Sequence, residues 1–125
     1  MNTPSELKYT KDHEWVKMEG NTATIGITDF AQGELGDIVF VDVDSVDDEL
    51  RSGDVFGSVE AVKTVSDLFL PIAGKITAFN EDLEDEPELL NSDPYGKGWI
   101  IKMEIEEGAD LSELLSAEDY QATIG

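Results

Sequence analysis

The sequence predicts a mainly β domain, a sandwich or barrel of short strands, and three observations predict it. Short stretches alternate apolar and polar residues with period two, as half-buried strands do. Gly, Pro, Asn and Asp fall between those stretches at close intervals. No low-complexity run or linker divides the 125 residues, of which 40% are apolar, so one domain spanning 1–125 with one core is expected.

Residues 14–18 and 22–28 flank Glu19-Gly20-Asn21 and predict a hairpin. Residues 28–36 predict a short helix. Thr28 or Asp29 caps its start, and Gly36 ends it in the left-handed conformation. Residues 37–43 read as a buried strand, and 46–50 as an acidic connection. Ser52-Gly53-Asp54 turns the chain into the strand before Lys63, and Leu68-Phe69-Leu70 follows that lysine. The starts Gly36-Asp37-Ile38-Val39-Phe40 and Gly53-Asp54-Val55-Phe56 have the form of a quasi-repeat, although matches this short also arise by chance. Pro71 marks a strand edge, and Gly74 is expected in a tight turn at positive φ before a strand over 75–79. Within the acidic stretch 81–91, Pro87 suits the first turn of a short helix, with Asn91 near its end. Residues 99–105 give the last strand. Leu111, Leu114, Leu115 and Tyr120 give a C-terminal helical segment packed on the body.

Charge narrows the function classes. Eight basic residues stand against 29 acidic ones, a net charge of −21. Such a surface repels nucleic acid and anionic lipid. Self-repulsion favours a soluble monomer. Partners are expected to offer basic docking surfaces, and a high-salt cytoplasm explains the same charge equally well. No apolar run is long enough to span a membrane. Residues 1–7 lack the basic start and apolar stretch of a signal peptide and are not Arg-rich, so a cytoplasmic protein is expected.

The chain has no cysteine, which excludes disulfides, thiolate nucleophiles and Cys-bound metal; redox chemistry has to come from an attached group. His13 is the only histidine, so a His-based metal site is not expected. Residues 81–88 lack the ligand spacing and the glycine of a Ca²⁺ loop. There is no Gly-x-Ser-x-Gly elbow and no phosphate-binding glycine loop. Catalysis by the chain's own side chains is therefore not expected.

Lys63 stands apart. It lies in Gly57-Ser58-Val59-Glu60-Ala61-Val62-Lys63-Thr64-Val65-Ser66-Asp67, where strand-forming residues on both sides place it at a hairpin tip. Taken alone, a lysine there is most often a charge that keeps a strand edge soluble. Residues 53–67 followed by Pro71-Ile72-Ala73-Gly74-Lys75-Ile76 resemble the lipoyl and biotinyl domains, which carry a modified lysine at such a tip. Biotin acceptors set Met on both sides of the lysine. Val62 and Thr64 favour lipoate instead, and depart also from the Asp and Ala of 2-oxoacid dehydrogenase lipoyl domains.

Further blocks narrow the resemblance: Tyr9-Thr10-Lys11-Asp12-His13-Glu14-Trp15-Val16, Ala23-Thr24-Ile25-Gly26-Ile27-Thr28-Asp29-Phe30-Ala31-Gln32, Leu35-Gly36-Asp37-Ile38-Val39-Phe40-Val41 and Asn91-Ser92-Asp93-Pro94-Tyr95-Gly96-Lys97-Gly98-Trp99. In that order, over about residues 7–120, they are similar to the glycine cleavage H-protein family. The resemblance implies a barrel-sandwich hybrid with short peripheral helices and a C-terminal helix. It implies a carrier with no turnover of its own, with lipoate in amide linkage to Lys63. Glycine decarboxylase, with pyridoxal phosphate, would load an aminomethyl group. A tetrahydrofolate-dependent aminomethyltransferase would unload it, and dihydrolipoyl dehydrogenase would reoxidise the arm. A lipoate ligase, or an octanoyl transferase with lipoyl synthase, would install it. The resemblance also implies a cleft for the loaded arm beside Asp12, Glu14, Ser66 and Asp67, with Glu14 and Asp67 holding the ammonium. Glu60, three residues before Lys63, either helps a modifying enzyme choose the lysine or is an ordinary exposed strand residue. Two other readings are a lipoyl-bearing scaffold for lipoate synthesis or relay, and an unmodified β-rich interaction module.

Overall fold

A computed structural model describes residues 3–124. Met1 and Asn2, which enter the reading of the N-terminus, and Gly125, which closes the expected 1–125 domain, lie outside them.

Strands build two antiparallel sheets. The first hairpin pairs β2 (Glu14–Glu19) with β3 (Thr22–Ile27), Glu19 opposite Thr22, and leaves Gly20-Asn21 as a two-residue loop. β1 (Lys8–Tyr9) adds to the outer edge of β2. β9 (Ile101–Ile105) lies between β3 and β8 (Gly74–Phe79), and β5 (Glu49–Leu50) closes the far edge. The second sheet has three strands in the order β4 (Ile38–Asp42), β6 (Val55–Ala61) and β7 (Val65–Phe69). This is the mainly β architecture that the alternation predicts.

The sheets bury one face each. Val16, Ile25, Ile76 and Met103 of the first meet Val41, Phe56, Val59 and Leu68 of the second in one apolar cluster. Leu83 of α2 (Asp82–Asp85) and Leu90 of α3 (Leu89–Ser92) add to that core. Burying a Val, Leu, Ile or Phe side chain contributes roughly 1.5–3 kcal/mol, so this cluster is the main source of cohesion. A second cluster joins Leu7, Tyr9 and Trp15 to Ala117 and Tyr120 of α4 (Ala117–Ile124). There the Tyr9 and Tyr120 rings stack with centroids 4.9 Å apart. α1 (Asp29–Leu35) starts at Thr28, whose Oγ1 accepts from Ala31 N–H at 3.1 Å, the expected cap.

Several expectations need correction. β4 is an edge strand, not a buried one: Val39 and Phe40 are about half exposed because no layer covers that face of the three-stranded sheet. Gly36 ends α1 at positive φ but with ψ −156°, an extended region only glycine occupies readily, rather than the left-handed helical one. Residues 46–50 are not wholly a connection, since β5 pairs Glu49 with Lys75. Pro87 precedes α3 instead of lying in its first turn, and the stretch 81–91 holds two helical turns. β9 begins at Ile101, so Trp99 and Ile100 fall before it. The C-terminal helix begins at Ala117; Leu111 is exposed ahead of it.

Gly74 is not at positive φ. It opens β8 in extended backbone, opposite Ile105. Glycine is needed there for space: a Cβ would meet the Glu104 carbonyl oxygen and, at 2.6 Å, Met103 Cε. Gly74→Ala is expected to destabilise the fold by about 1–3 kcal/mol through overpacking. Chemical denaturation of both proteins measures it, and an unchanged midpoint would remove the steric explanation.

Candidate functional site

The β6–β7 hairpin ends as tightly as a hairpin can. Glu60 pairs with Val65, and Ala61 N–H donates to the Thr64 carbonyl at 2.8 Å, leaving Val62 and Lys63 alone in the loop. Among the described residues only His13 and Asp47 are non-glycines at positive φ, so neither loop residue adopts it. The turn is therefore not one of the primed types that usually close two-residue hairpins. A β-branched residue such as Val62 is tolerated for that reason. The tip is held from below as well. Val62 N–H donates to the Asp37 carbonyl at 3.0 Å. A Cβ on Gly36 would lie 3.5 Å from Lys63 Cε, so the lysine stem passes close over the glycine that ends α1. Lys63 is exposed.

A second group of residues gathers at the other edge of β7. Thr10 organises it: its Oγ1 accepts from both Asp12 N–H and Glu14 N–H at 3.2 Å, and its carbonyl accepts from His13 N–H at 3.1 Å. His13, at φ 67°, completes this turn and sends Glu14 inward. Glu14 is only 2% exposed. Its Oε2 accepts from Phe69 N–H at 2.9 Å, across to the edge strand of the second sheet. Its Oε1 is buried with no hydrogen-bond partner among the described residues. Burial pushes the Glu14 carboxyl up to about 8, helped by the charge of Asp12 and opposed by the Phe69 N–H and the Thr10 hydroxyl. At neutral pH Glu14 therefore mostly holds a proton.

The structure brings Asp12 within electrostatic reach of Glu14, while Ser66 and Asp67 lie on β7, the strand whose edge Glu14 meets. Asp67 lies two residues before Phe69, on the same side of β7, and is exposed. Ser66 is half-buried on the strand's other side, and Asp12 is exposed at the turn. Glu60 shares the open face of the three-stranded sheet with Asp67, one register row nearer the tip. Sequence reasoning missed three contributors: Thr10, the Gly36-Asp37 support, and Tyr120. The Tyr120 hydroxyl lies 3.0 Å from His13 Nδ1 and 2.7 Å from Thr28 Oγ1. A lone His between two acids was the one available signal for that link.

Comparison with known proteins decides what this arrangement belongs to. The family described as glycine cleavage H-protein matches residues 7–125. The chain belongs to the glycine cleavage H-protein family. It is 61% identical over 125 residues to a glycine cleavage system H protein of Staphylococcus saprophyticus, covering 100% of this chain and 99% of that protein. It is 60% identical to one of Staphylococcus haemolyticus with the same coverage. A crystal structure of a glycine cleavage system H protein from Mycobacterium marinum superposes with a TM-score of 0.90 at 36% identity, covering 98% of this chain and 99% of that one. Membership gives the chain the lipoyl-carrier role in the glycine cleavage system. Among the described residues no helix is long and apolar enough to cross a membrane.

Glu14 makes stability depend on pH. Its folded value, about 8, lies above the ordinary 4.5, so between the two the folded chain holds a proton that the unfolded chain has lost. Stability is full below about pH 4.5 and falls as pH rises toward 8. Glu14→Gln does not titrate, so its stability should gain on the parent over that window by on the order of a few kcal/mol and then level off. Urea denaturation at a series of pH values measures the difference; a constant offset would show that Glu14 ionises normally.

Proposed function

We propose that residues 1–125 form one non-catalytic carrier domain, with lipoate in amide linkage to Lys63. The observation that carries this reading is the exposed lysine on a two-residue tip, tied by Val62 to Asp37 and seated over Gly36. When bound, lipoate supplies the redox-active disulfide that a cysteine-free chain lacks. The cargo is the aminomethyl group of glycine. It is received from glycine decarboxylase with pyridoxal phosphate and passed to the tetrahydrofolate-dependent aminomethyltransferase. Dihydrolipoyl dehydrogenase restores the arm. A lipoate ligase, or an octanoyl transferase with lipoyl synthase, installs it. The working compartment is the cytoplasm, and the net charge of −21 keeps the chain monomeric.

Glu14 supports the carrier reading over an unmodified interaction module. A buried acid with an unpartnered oxygen costs stability unless it has something to hold. With Oε2 occupied by Phe69 N–H, its proton sits on Oε1. Passed to a neutral amine, that proton leaves a carboxylate beside an ammonium, an ion pair in a desolvated setting. Asp67 adds a second negative charge along β7. An amine that keeps its proton has no lone pair with which to expel a neighbouring thiolate, so the cargo survives transit.

Two experiments test this reading. The unmodified chain incubated with lipoate, ATP and a lipoate ligase should gain one lipoyl amide by intact mass, and Lys63→Arg should gain none. Modification at Lys75 or Lys97 instead would refute the assignment. Loaded Glu14→Ala and Asp67→Ala should release formaldehyde faster than the parent, roughly tenfold for each unit by which the amine pKa falls. Unchanged rates in both folded variants would remove the two carboxylates from the site.

A further inference from the structure

The open face of the three-stranded sheet carries an uncovered apolar row beside Lys63. Strand register sets Phe40 opposite Glu60, and Glu60 opposite Val65, so the three form one line across β4, β6 and β7. Phe40 is 50% exposed and Val65 60% exposed. Val62, in the loop itself, is 75% exposed. Single exposed apolar residues are ordinary on any surface. Three clustered at one end of one sheet, around Glu60 and against the modified lysine, form a patch, bordered in the next register row by the exposed carboxylates of Asp42 and Asp67. The rest of the surface is dominated by acid, with 29 Asp and Glu in the chain.

We propose that Phe40, Val62 and Val65, with Glu60 at their centre, are the surface on which the enzyme that acylates Lys63 docks. The inference rests on the lipoyl reading and adds to it the surface that the modifying enzyme reads. The occupant follows from where the chemistry happens. Amide formation needs the neutral Lys63 Nζ to attack an activated acyl carbonyl. The new N–C bond replaces the bond to an adenylate or thiol leaving group, and Nζ releases its proton. That enzyme has to cover the tip itself. Enzymes acting on the far end of an acyl chain can stand off by the chain's length. The partner therefore presents an apolar shelf to Phe40 and Val65 and a guanidinium or ammonium to Glu60. A second copy of this chain is disfavoured as occupant by the charge of −21 that each copy carries.

The test is steady-state lipoylation of the purified unmodified chain by a lipoate ligase with lipoate and ATP, read by intact mass. Phe40→Thr combined with Val65→Thr keeps strand-forming residues at exposed positions, and melting curves check the fold. The double variant should raise the KM for the chain about tenfold, about 1.4 kcal/mol, with kcat within about twofold. Val55→Thr is the control. Val55 is 49% exposed on the same sheet but at the far end of β6 from the tip, and its KM should not move. An unchanged KM in the double variant overturns the proposal, as does an equal rise in Val55→Thr. A fall in kcat alone also overturns it, because the row would then be positioning Lys63 rather than docking the enzyme. A parent that sediments as a dimer at assay concentration, dispersed by Phe40→Thr, would assign the row to a second copy. Failure of the parent to be modified at Lys63 would overturn both readings. A modified parent with unaffected variants overturns this one alone.

Discussion

The bond from Phe69 N–H to the Glu14 carboxyl is the contact on which the functional end of this molecule depends. It joins the first sheet to the free edge of β7 in the second, where the apolar core alone would leave a strand edge unpaired. It also draws a carboxyl out of water. Burial gives Glu14 its retained proton, against the pull of that same bond, and leaves it an idle oxygen. A surface carboxylate at the same height would be screened and ionised and would hold nothing firmly.

Much of the fold was legible because its signals are local. The hairpin around Gly20-Asn21, the Thr28 cap and the tip at Lys63 each depend on a few adjacent residues whose conformational preferences agree. What escaped depends on residues far apart in the chain. Gly74 is required by a neighbouring strand's carbonyl, not by its own backbone angle. Periodicity identified β4 as a strand but carried no information on whether a second layer covers it, and Phe40 is half exposed. Glu14 looked like one acid among 29, and its partner lies 55 residues away at Phe69. The family resemblance singled it out; nothing in its neighbours indicated that it is buried.

The tip and Glu14 follow opposite physical rules, one at the hairpin end and the other at the free edge of one small sheet. At the tip the backbone is fixed while the lysine head stays in water. Beside β7 a polar group is fixed in a dry setting and has an unused oxygen. The three-stranded sheet is what allows both. β6 and β7 project the lysine, and the outer edge of β7 meets Glu14, so the separation of the tip from that carboxyl is set largely by strand geometry.

Tyr120 gives this architecture a direction in time. Its hydroxyl reaches His13 Nδ1 and Thr28 Oγ1 together, and burial holds the phenol above its usual pKa, so it keeps its one proton and can donate one of these bonds while accepting the other. Its ring stacks on Tyr9, just ahead of the turn that delivers Glu14. A growing chain on the ribosome can pair β6 with β7 as soon as Phe69 has emerged. The contact of His13 with Tyr120, added to the local Thr10 bonds of the turn, forms only when Tyr120 has emerged too. The strands that carry Lys63 are thus made early in synthesis, and the tie between His13 and the C-terminal helix is among the last contacts to form.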